Sequence, residues 1–101
     1  MAQYEVNIGP GKQFSPDPVN VNLGDTVTWI WKDGGMKHST TSDDGTSWES
    51  DLQIEPFRYP VTFSSPQFSA GSYAYHCSQH PAAMTGTIVV NAGSQAGGAN
   101  C

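Results

Sequence analysis

Residues 71–90 read GSYAYHCSQHPAAMTGTIVV, and this stretch carries the pattern that decides the fold. Polar and apolar residues alternate before and after a central loop, and a period of two is typical of β-strands. The loop carries a thiol, an imidazole and a thioether at Cys77, His80 and Met84. An extended chain would hold Cys77 and Met84 roughly 23 Å apart, so Pro81 and the following alanines predict a loop that folds back. We therefore predict two strands whose connection gathers three ligands for one soft metal ion.

The strand before the loop determines where Cys77 points. Alternation places Tyr73, Tyr75 and Cys77 on one face and His76 on the other. We expect the tyrosine face to point inward, which shields the thiolate from water and oxidants. One Cys, two His and a weak axial Met form the ligand set of blue-copper electron-transfer centres. The natural candidate for the second histidine is His38, which follows another strand and a Gly-Gly turn.

The same alternation recurs along the rest of the chain. It covers three further segments, marked by the apolar residues Tyr4, Val6 and Ile8, then Val19, Val21 and Leu23, then Val27, Trp29 and Trp31. Gly, Pro and Asp clusters separate these segments. No helical stripe is present, although residues 43–57 are long enough to carry a short helical turn. The predicted fold class is all-β, a sandwich of about seven to eight strands.

The length of 101 residues predicts one folded domain. We place that domain at residues 1–91 and expect residues 92–101 to be a flexible Gly- and Ala-rich tail, because their small side chains cannot offset the entropy of ordering. No apolar run is long enough to span a membrane. We therefore expect a soluble protein without membrane insertion.

The charge balance excludes one class of partner. Four Lys and Arg against nine Asp and Glu give a formal charge of -5, whereas binding to phosphate backbones needs clustered basic side chains. We predict no nucleic-acid partner. The two cysteines, Cys77 and Cys101, could form a disulfide, but the first lies in the ligand loop and the second ends the tail, and both positions argue against a bridge.

From Tyr4 to Asn91 the chain resembles the cupredoxins, the plastocyanin-like small blue copper proteins. The matching segments are Leu23 to Trp29, His38, Ala70 to Tyr75, the ligand loop from Cys77 to Met84, and Thr85 to Val90. The resemblance implies a Greek-key β-sandwich and one type 1 copper per chain. It makes His38 and His80 the imidazole ligands, Cys77 the thiolate and Met84 the axial thioether. Tyr73 resembles the family's tyrosine corner.

Two positions differ from the pattern of plastocyanin-like proteins. Ser39 stands where the family commonly has an Asn that links the two ligand loops. His76 resembles the histidine that copper nitrite reductases place directly before the copper-bound Cys, where it holds a second, catalytic copper. That copper needs further histidines, and this chain has three in all. His76 is therefore interpreted as a surface residue of its strand, with electron entry as one role open to it, or, less simply, as part of a second metal site.

Surface residues near the predicted site carry two further interpretations. Asp43 and Asp44 are either a solvated acidic loop or a docking patch for basic redox partners, since plastocyanin has acids at a similar offset from its first histidine. The small residues around His80 predict an apolar surface for contact with protein redox partners. Met36, two residues before His38, is a weaker rival thioether ligand.

The resemblance implies a soluble, monomeric electron carrier that cycles between Cu(I) and Cu(II) by outer-sphere transfer and is not an enzyme. No catalytic residue is expected. The alternative is a copper-binding chaperone or storage module, which would use the same soft ligands without cycling. We expect a periplasmic or otherwise extracytoplasmic location, with an export signal already removed.

Overall fold

The computed structural model describes residues 2–92 and shows a sandwich of two β-sheets. Its strands are β1 Gln3–Ile8, β2 Phe14–Ser15, β3 Val19–Asn22, β4 Thr26–Trp31, β5 Thr41–Ser42, β6 Arg58–Thr62, β7 Gly71–His76 and β8 Thr85–Asn91. Within the described residues no helix forms, and none is therefore available to cross a membrane. The all-β prediction is confirmed. The predicted flexible tail lies, apart from Ala92, outside the described residues.

Each sheet has four strands and mixes parallel with antiparallel pairs. The first sheet has the order β2-β1-β4-β6 and the second β3-β8-β7-β5. Strands β1 and β4 run parallel, as do β3 and β8, whereas β7 and β8 are antiparallel neighbours. The parallel pairs arise because the chain crosses from one sheet to the other between β1 and β4 and between β3 and β8.

The core lies between the two sheets, where the predicted inward faces meet. In β4 every second residue, from Val27 through Trp29 to Trp31, is buried, and the first sheet faces Ile88 and Val90 of β8 in the second. Large aromatic rings fill the centre of this core, and such side chains dominate the energetics of small cores. The alternation seen in the sequence therefore identified the packed faces correctly.

Tyr75 occupies the middle of this aromatic core. Its ring lies 5.3 Å from that of Trp29 and 5.8 Å from that of Trp48, centroid to centroid. The ring also covers Gly86, its register partner on β8, where an added Cβ would lie 2.5 Å from the tyrosine Cζ. Only glycine leaves room for the ring at this position. The neighbouring Tyr73 forms the expected corner, since its hydroxyl donates to the Ser69 carbonyl at 2.8 Å.

Residues 43–57 form turns, bends and isolated bridges, although the segment is long enough for a short helical turn. The carboxylate of Asp44 accepts hydrogen bonds from the backbone amides of Thr46 and Ser47 at 2.8 and 2.9 Å. Such local side-chain bonds compete with helical bonds for the same amides. The loop instead buries Trp48 in the core. The helical turn that the length of this segment allows therefore does not form.

The pairing of β5 with β7 positions the two segments that carry the predicted ligands. The strands are antiparallel, and Thr41 lies opposite His76. The residues just before Thr41 consequently lie beside the residues just after His76. This register brings His38 to Cys77 across a large separation in sequence.

Candidate metal centre

The loop from Cys77 to Met84 folds back on itself, as predicted. The His80 amide donates to the Cys77 carbonyl at 3.0 Å, and the Met84 amide donates to the His80 carbonyl at 2.9 Å. The Cys77 amide then donates to the Met84 carbonyl at 3.0 Å and closes the loop. Cys77 and Met84 are both fully buried. Backbone bonds thus bring the thiol and the thioether to the same end of the sandwich.

Three ligand atoms converge at this end. The Cys77 Sγ lies 3.7 Å from His38 Nδ1 and 3.7 Å from His80 Nδ1, and all three atoms lie within 4.8 Å of one another. Metal–sulfur and metal–nitrogen bonds of roughly 2.3 and 2.0 Å around a trigonal ion would place sulfur and nitrogen about 3.7 Å apart. The observed spacing therefore fits one ion, and a thiolate, two imidazoles and a nearby thioether suit copper.

The two histidines differ in exposure. His38 is 1% exposed, whereas His80 is half-buried beside the exposed residues Pro81, Ala82 and Ala83. One imidazole is thus enclosed by protein and the other reaches the surface within a patch of small residues. Met36, the rival thioether considered from the sequence, is 52% exposed.

His38 is held by contacts that the sequence did not reveal. Its backbone amide and carbonyl bond to the carbonyl and amide of Gln53 at 3.0 and 2.9 Å. The indole Nε1 of the buried Trp31 donates to the His38 carbonyl at 2.9 Å. On the ring itself, Nε2 lies 2.7 Å from Asp33 Oδ2. Both the backbone and the imidazole of His38 are therefore fixed.

Ser39 links the two ligand loops despite being shorter than the Asn of the family pattern. Its hydroxyl oxygen accepts the Ser78 amide at 2.9 Å and donates to the Ser78 hydroxyl at 3.0 Å. It also lies 2.9 Å from the Thr41 hydroxyl. The Ser39 amide points at Cys77 Sγ, 3.5 Å away. Ser78 supplies the second hydroxyl of the link, and no pattern in the sequence indicated this role.

His76 lies outside the centre. Its Nδ1 is 2.7 Å from the carboxylate of Asp43, and its side chain is 24% exposed. Among the described residues, the one group of three or more His, Cys, Asp or Glu side chains placed to hold a metal is His38 with Cys77 and His80. The geometry thus favours the interpretation of His76 as a strand residue with a surface partner.

The two acids of the predicted docking patch have different surroundings. Asp43 is 56% exposed and contacts His76. Asp44 accepts hydrogen bonds from the hydroxyls of Ser42 and Ser47 and from backbone amides, and these bonds, the hydroxyl of Ser42 first, hold the pKa of its carboxyl well below the usual range. Both carboxylates are exposed and charged, but Asp44 also organises its own loop, whereas Asp43 contacts His76.

Comparison with known proteins agrees with this site. The sequence profile of copper-binding proteins of the plastocyanin/azurin family matches residues 2–91. The chain belongs to this family. It is 35% identical to amicyanin from Paracoccus denitrificans over 85 residues, 84% of this chain and 63% of amicyanin. It is 33% identical to plastocyanin from Scenedesmus fuscus over 84 residues, 76% of this chain and 85% of plastocyanin.

Other relatives are longer than this cupredoxin chain. Halocyanin from Natronomonas pharaonis is 33% identical over 84 residues, which cover 79% of this chain and 49% of halocyanin. An oxidised amicyanin variant superposes with a TM-score of 0.74 at 29% identity, over 87% of this chain and 81% of the variant. A copper-containing nitrite reductase from Thermus scotoductus also has a TM-score of 0.74, at 25% identity, but only 22% of that chain is covered. His38, Cys77, His80 and Met84 are placed to bind one copper ion.

Proposed function

We propose that this cupredoxin is an electron carrier whose single type 1 copper is held by His38, Cys77, His80 and Met84. The observation that carries the proposal is the pair of equal 3.7 Å distances from Cys77 Sγ to the Nδ1 atoms of the two histidines. Copper in this ligand set supplies a one-electron couple between Cu(I) and Cu(II). The similarity to amicyanin and plastocyanin supports the same class of function.

The protein's own contribution is to keep the ligands in place during electron transfer. The hydrogen bonds of Trp31, Gln53 and Asp33 fix His38, and the link from Ser39 to Ser78 joins the two loops. Ligands held by such outer contacts rearrange little when the charge of the site changes. A small rearrangement favours rapid outer-sphere exchange.

Electrons enter and leave through the exposed edge of His80. This imidazole is half-buried, whereas His38 and Cys77 are enclosed. The residues Pro81 to Ala83 around it are exposed, apolar and small, so a partner protein can approach closely without being retained. Protein redox partners would dock on this patch, and basic partners would be guided by Asp43 and Asp44.

The remaining assignments follow from the same similarity. We place the protein in the periplasm or another extracytoplasmic compartment and assign it no enzymatic activity of its own. The chain spans 63% of amicyanin and 49% of halocyanin, so these assignments concern the cupredoxin domain. A copper chaperone or storage module is the competing function, because soft ligands alone would serve it equally well.

Titration with Cu(II), followed by optical and paramagnetic spectroscopy, tests the ligand set. We expect one copper per chain and an intense thiolate-to-copper charge-transfer band. Cys77→Ser removes the soft thiolate while nearly preserving volume, so the band should vanish. The matched control is Cys101→Ser, which removes the chain's other thiol and should leave the band intact. An unchanged spectrum in the Cys77 variant would overturn the assignment.

Reversible voltammetry separates a carrier from a storage module. A carrier should be reduced and reoxidised repeatedly with copper retained at one equivalent per chain. A storage or delivery protein would lose Cu(I) to a competing chelator or fail to cycle. Loss of copper on each reduction would therefore favour the competing function.

A further inference from the structure

We propose that Asp33 is a positioning residue for the metal centre: its carboxylate fixes the His38 ring and lowers the reduction potential of the bound copper. The inference rests on the proposed copper site. The observation that supports it is the 2.7 Å distance between Asp33 Oδ2 and His38 Nε2. The His38 side chain is 1% exposed and that of Asp33 is 21% exposed.

The contact determines which nitrogen of His38 is available to the metal. A carboxylate only accepts hydrogen bonds, and a neutral imidazole has one donor and one acceptor nitrogen. Nε2 therefore carries the proton and donates a hydrogen bond to Asp33. The lone pair remains on Nδ1, the atom that lies 3.7 Å from Cys77 Sγ. Asp33 thus holds the tautomer that the ligand geometry requires.

The fold places Asp33 for this contact. It follows β4, whose last residue, Trp31, lies opposite Ile8 at the end of β1. The chain after Ile8 packs against Asp33 so closely that a Cβ on Gly9 would lie 2.7 Å from the Asp33 Cβ. The Gly11 amide adds a long hydrogen bond of 3.3 Å to the same Oδ2. The turn after β1 therefore packs against the Asp33 side chain and adds a second hydrogen bond to its carboxylate.

The two histidines then differ in their electrostatic surroundings. No carboxylate in the part of the chain that the structure describes bonds to His80, whereas His38 has one at 2.7 Å. A negative charge behind a ligand imidazole favours the more positive oxidation state of the metal. Asp33 should therefore stabilise Cu(II) relative to Cu(I) through His38 alone and leave His80 unconstrained for electron exchange.

Two variants of Asp33 distinguish the effect of its hydrogen bond to His38 from the effect of its negative charge. Asp33→Asn keeps an acceptor oxygen but removes the charge, and Asp33→Ala removes both. The control is Glu55→Gln, because Glu55 accepts the amide of Gly34, next to Asp33, at 2.9 Å and has no bond to His38. Glu55→Gln also removes one negative charge from the surroundings of Asp33, but it alters no contact with a proposed copper ligand.

Nitrogen NMR of the metal-free full chain reads the His38 tautomer. We expect a single Nε2–H form in the unmodified protein, the Asn variant and the Gln control, and a mixture of tautomers in Asp33→Ala. A single Nε2–H form in a folded Asp33→Ala protein would overturn the positioning role. Because this measurement needs no copper, it tests Asp33 even if the protein proves not to be an electron carrier.

Voltammetry of the copper form measures the effect of the Asp33 charge on the reduction potential. In Asp33→Asn the ratio of Cu(II) to Cu(I) affinity should fall about tenfold, which corresponds to a potential higher by ~59 mV. In Asp33→Ala the Cu(II) affinity should fall by roughly 10–100-fold, as expected when the outer partner of a ligand is lost. Glu55→Gln should give a clearly smaller shift in potential. Equal shifts in Asp33→Asn and Glu55→Gln would overturn the electrostatic part of the proposal.

Discussion

Single residues around the centre matter through the hydrogen-bonding capacity of their side chains. The hydroxyl of Ser39 accepts from one loop, donates to it and also meets Thr41, so its whole hydrogen-bonding capacity is used inside the protein. A single buried hydroxyl thus links the two ligand loops, a role that an Asn side chain commonly has in the family, because Ser78 provides the complementary group. The sequence identified the position of the link but not its second member.

The link predicts a loss of both stability and site order in Ser39→Ala. The Thr41 hydroxyl is buried and would lose its acceptor, and a buried hydrogen-bonding group left unpaired costs about 1–3 kcal/mol. The part-buried Ser78 amide would also lose its acceptor. We expect the free energy of unfolding of the copper form to fall by a few kcal/mol and the paramagnetic spectrum to broaden. Ser72→Ala is the control, since Ser72 is exposed on β7. Equal unfolding curves for the two variants would contradict the link.

Among the strands, the sequence predicted those that alternate without interruption and missed two short strands and one that contains a proline. Strands β1, β3, β4, β7 and β8 were visible because each alternates over four residues or more. Strands β2 and β5 have two residues each, too few for a periodic pattern. Strand β6 contains Pro60, which cannot donate a ladder bond and is tolerated here because β6 lies at the edge of its sheet.

The same limit applies to the candidate site. The ligands in the loop from Cys77 to Met84 were predictable because they are neighbours in sequence and differ chemically from their surroundings. Asp33 and Ser78 were not, because their roles depend on strand register. Asp33 meets its supporting turn only through the parallel pairing of β1 with β4, and Ser78 meets Ser39 only because β5 pairs with β7.

The turn between β3 and β4 carries a prediction that depends on pH. The Asp25 carboxylate accepts the amides of Ala2 and Asn22 at 2.8 Å each. These bonds, that of Ala2 first, lower the pKa of Asp25 from its usual value of 3.8. A carboxyl whose pKa is lower in the folded than in the unfolded state stabilises the fold above the unfolded pKa. That stabilisation is lost as the pH falls through the folded pKa.

Asp25→Asn should therefore lower the free energy of unfolding of the metal-free protein by about 1–3 kcal/mol at neutral pH. The reason is that one of the two backbone amides that now bond to Asp25 would face the NH₂ group of the asparagine. The difference from the unmodified protein should shrink as the pH falls below about 4. Urea unfolding at a series of pH values measures both effects. Glu5→Gln is the control, since Glu5 and its partner Arg58 are each 63% exposed. A difference that persists unchanged to low pH would contradict the role of the Asp25 charge.

Across the molecule, the charges that would steer a partner and the surface that would contact it belong to different residues. The chain has a formal charge of -5, and Asp43 presents one of these charges 2.7 Å from His76 on the strand that leads to Cys77. The exposed patch around His80 is apolar instead. Surface charges act over about a Debye length, roughly 8–10 Å at ordinary ionic strength, whereas electron transfer needs contact. Asp43 should therefore affect the encounter with a partner, and the patch should affect the transfer.

Stopped-flow oxidation by a positively and by a negatively charged small molecule tests this division. Asp43→Asn should slow the reaction with the cationic oxidant, speed that with the anionic one and flatten the salt dependence of both, because one steering charge is gone. Glu5→Gln, which makes the same change in net charge in the other sheet, controls for net charge alone. Asp44 is unsuitable for this test because its carboxylate organises its own loop. Ala82→Phe should slow both oxidants at every salt concentration, since the larger side chain holds them away from the His80 ring. Rates and salt slopes that match the unmodified protein in both Asp43→Asn and Ala82→Phe would place electron entry elsewhere on the molecule.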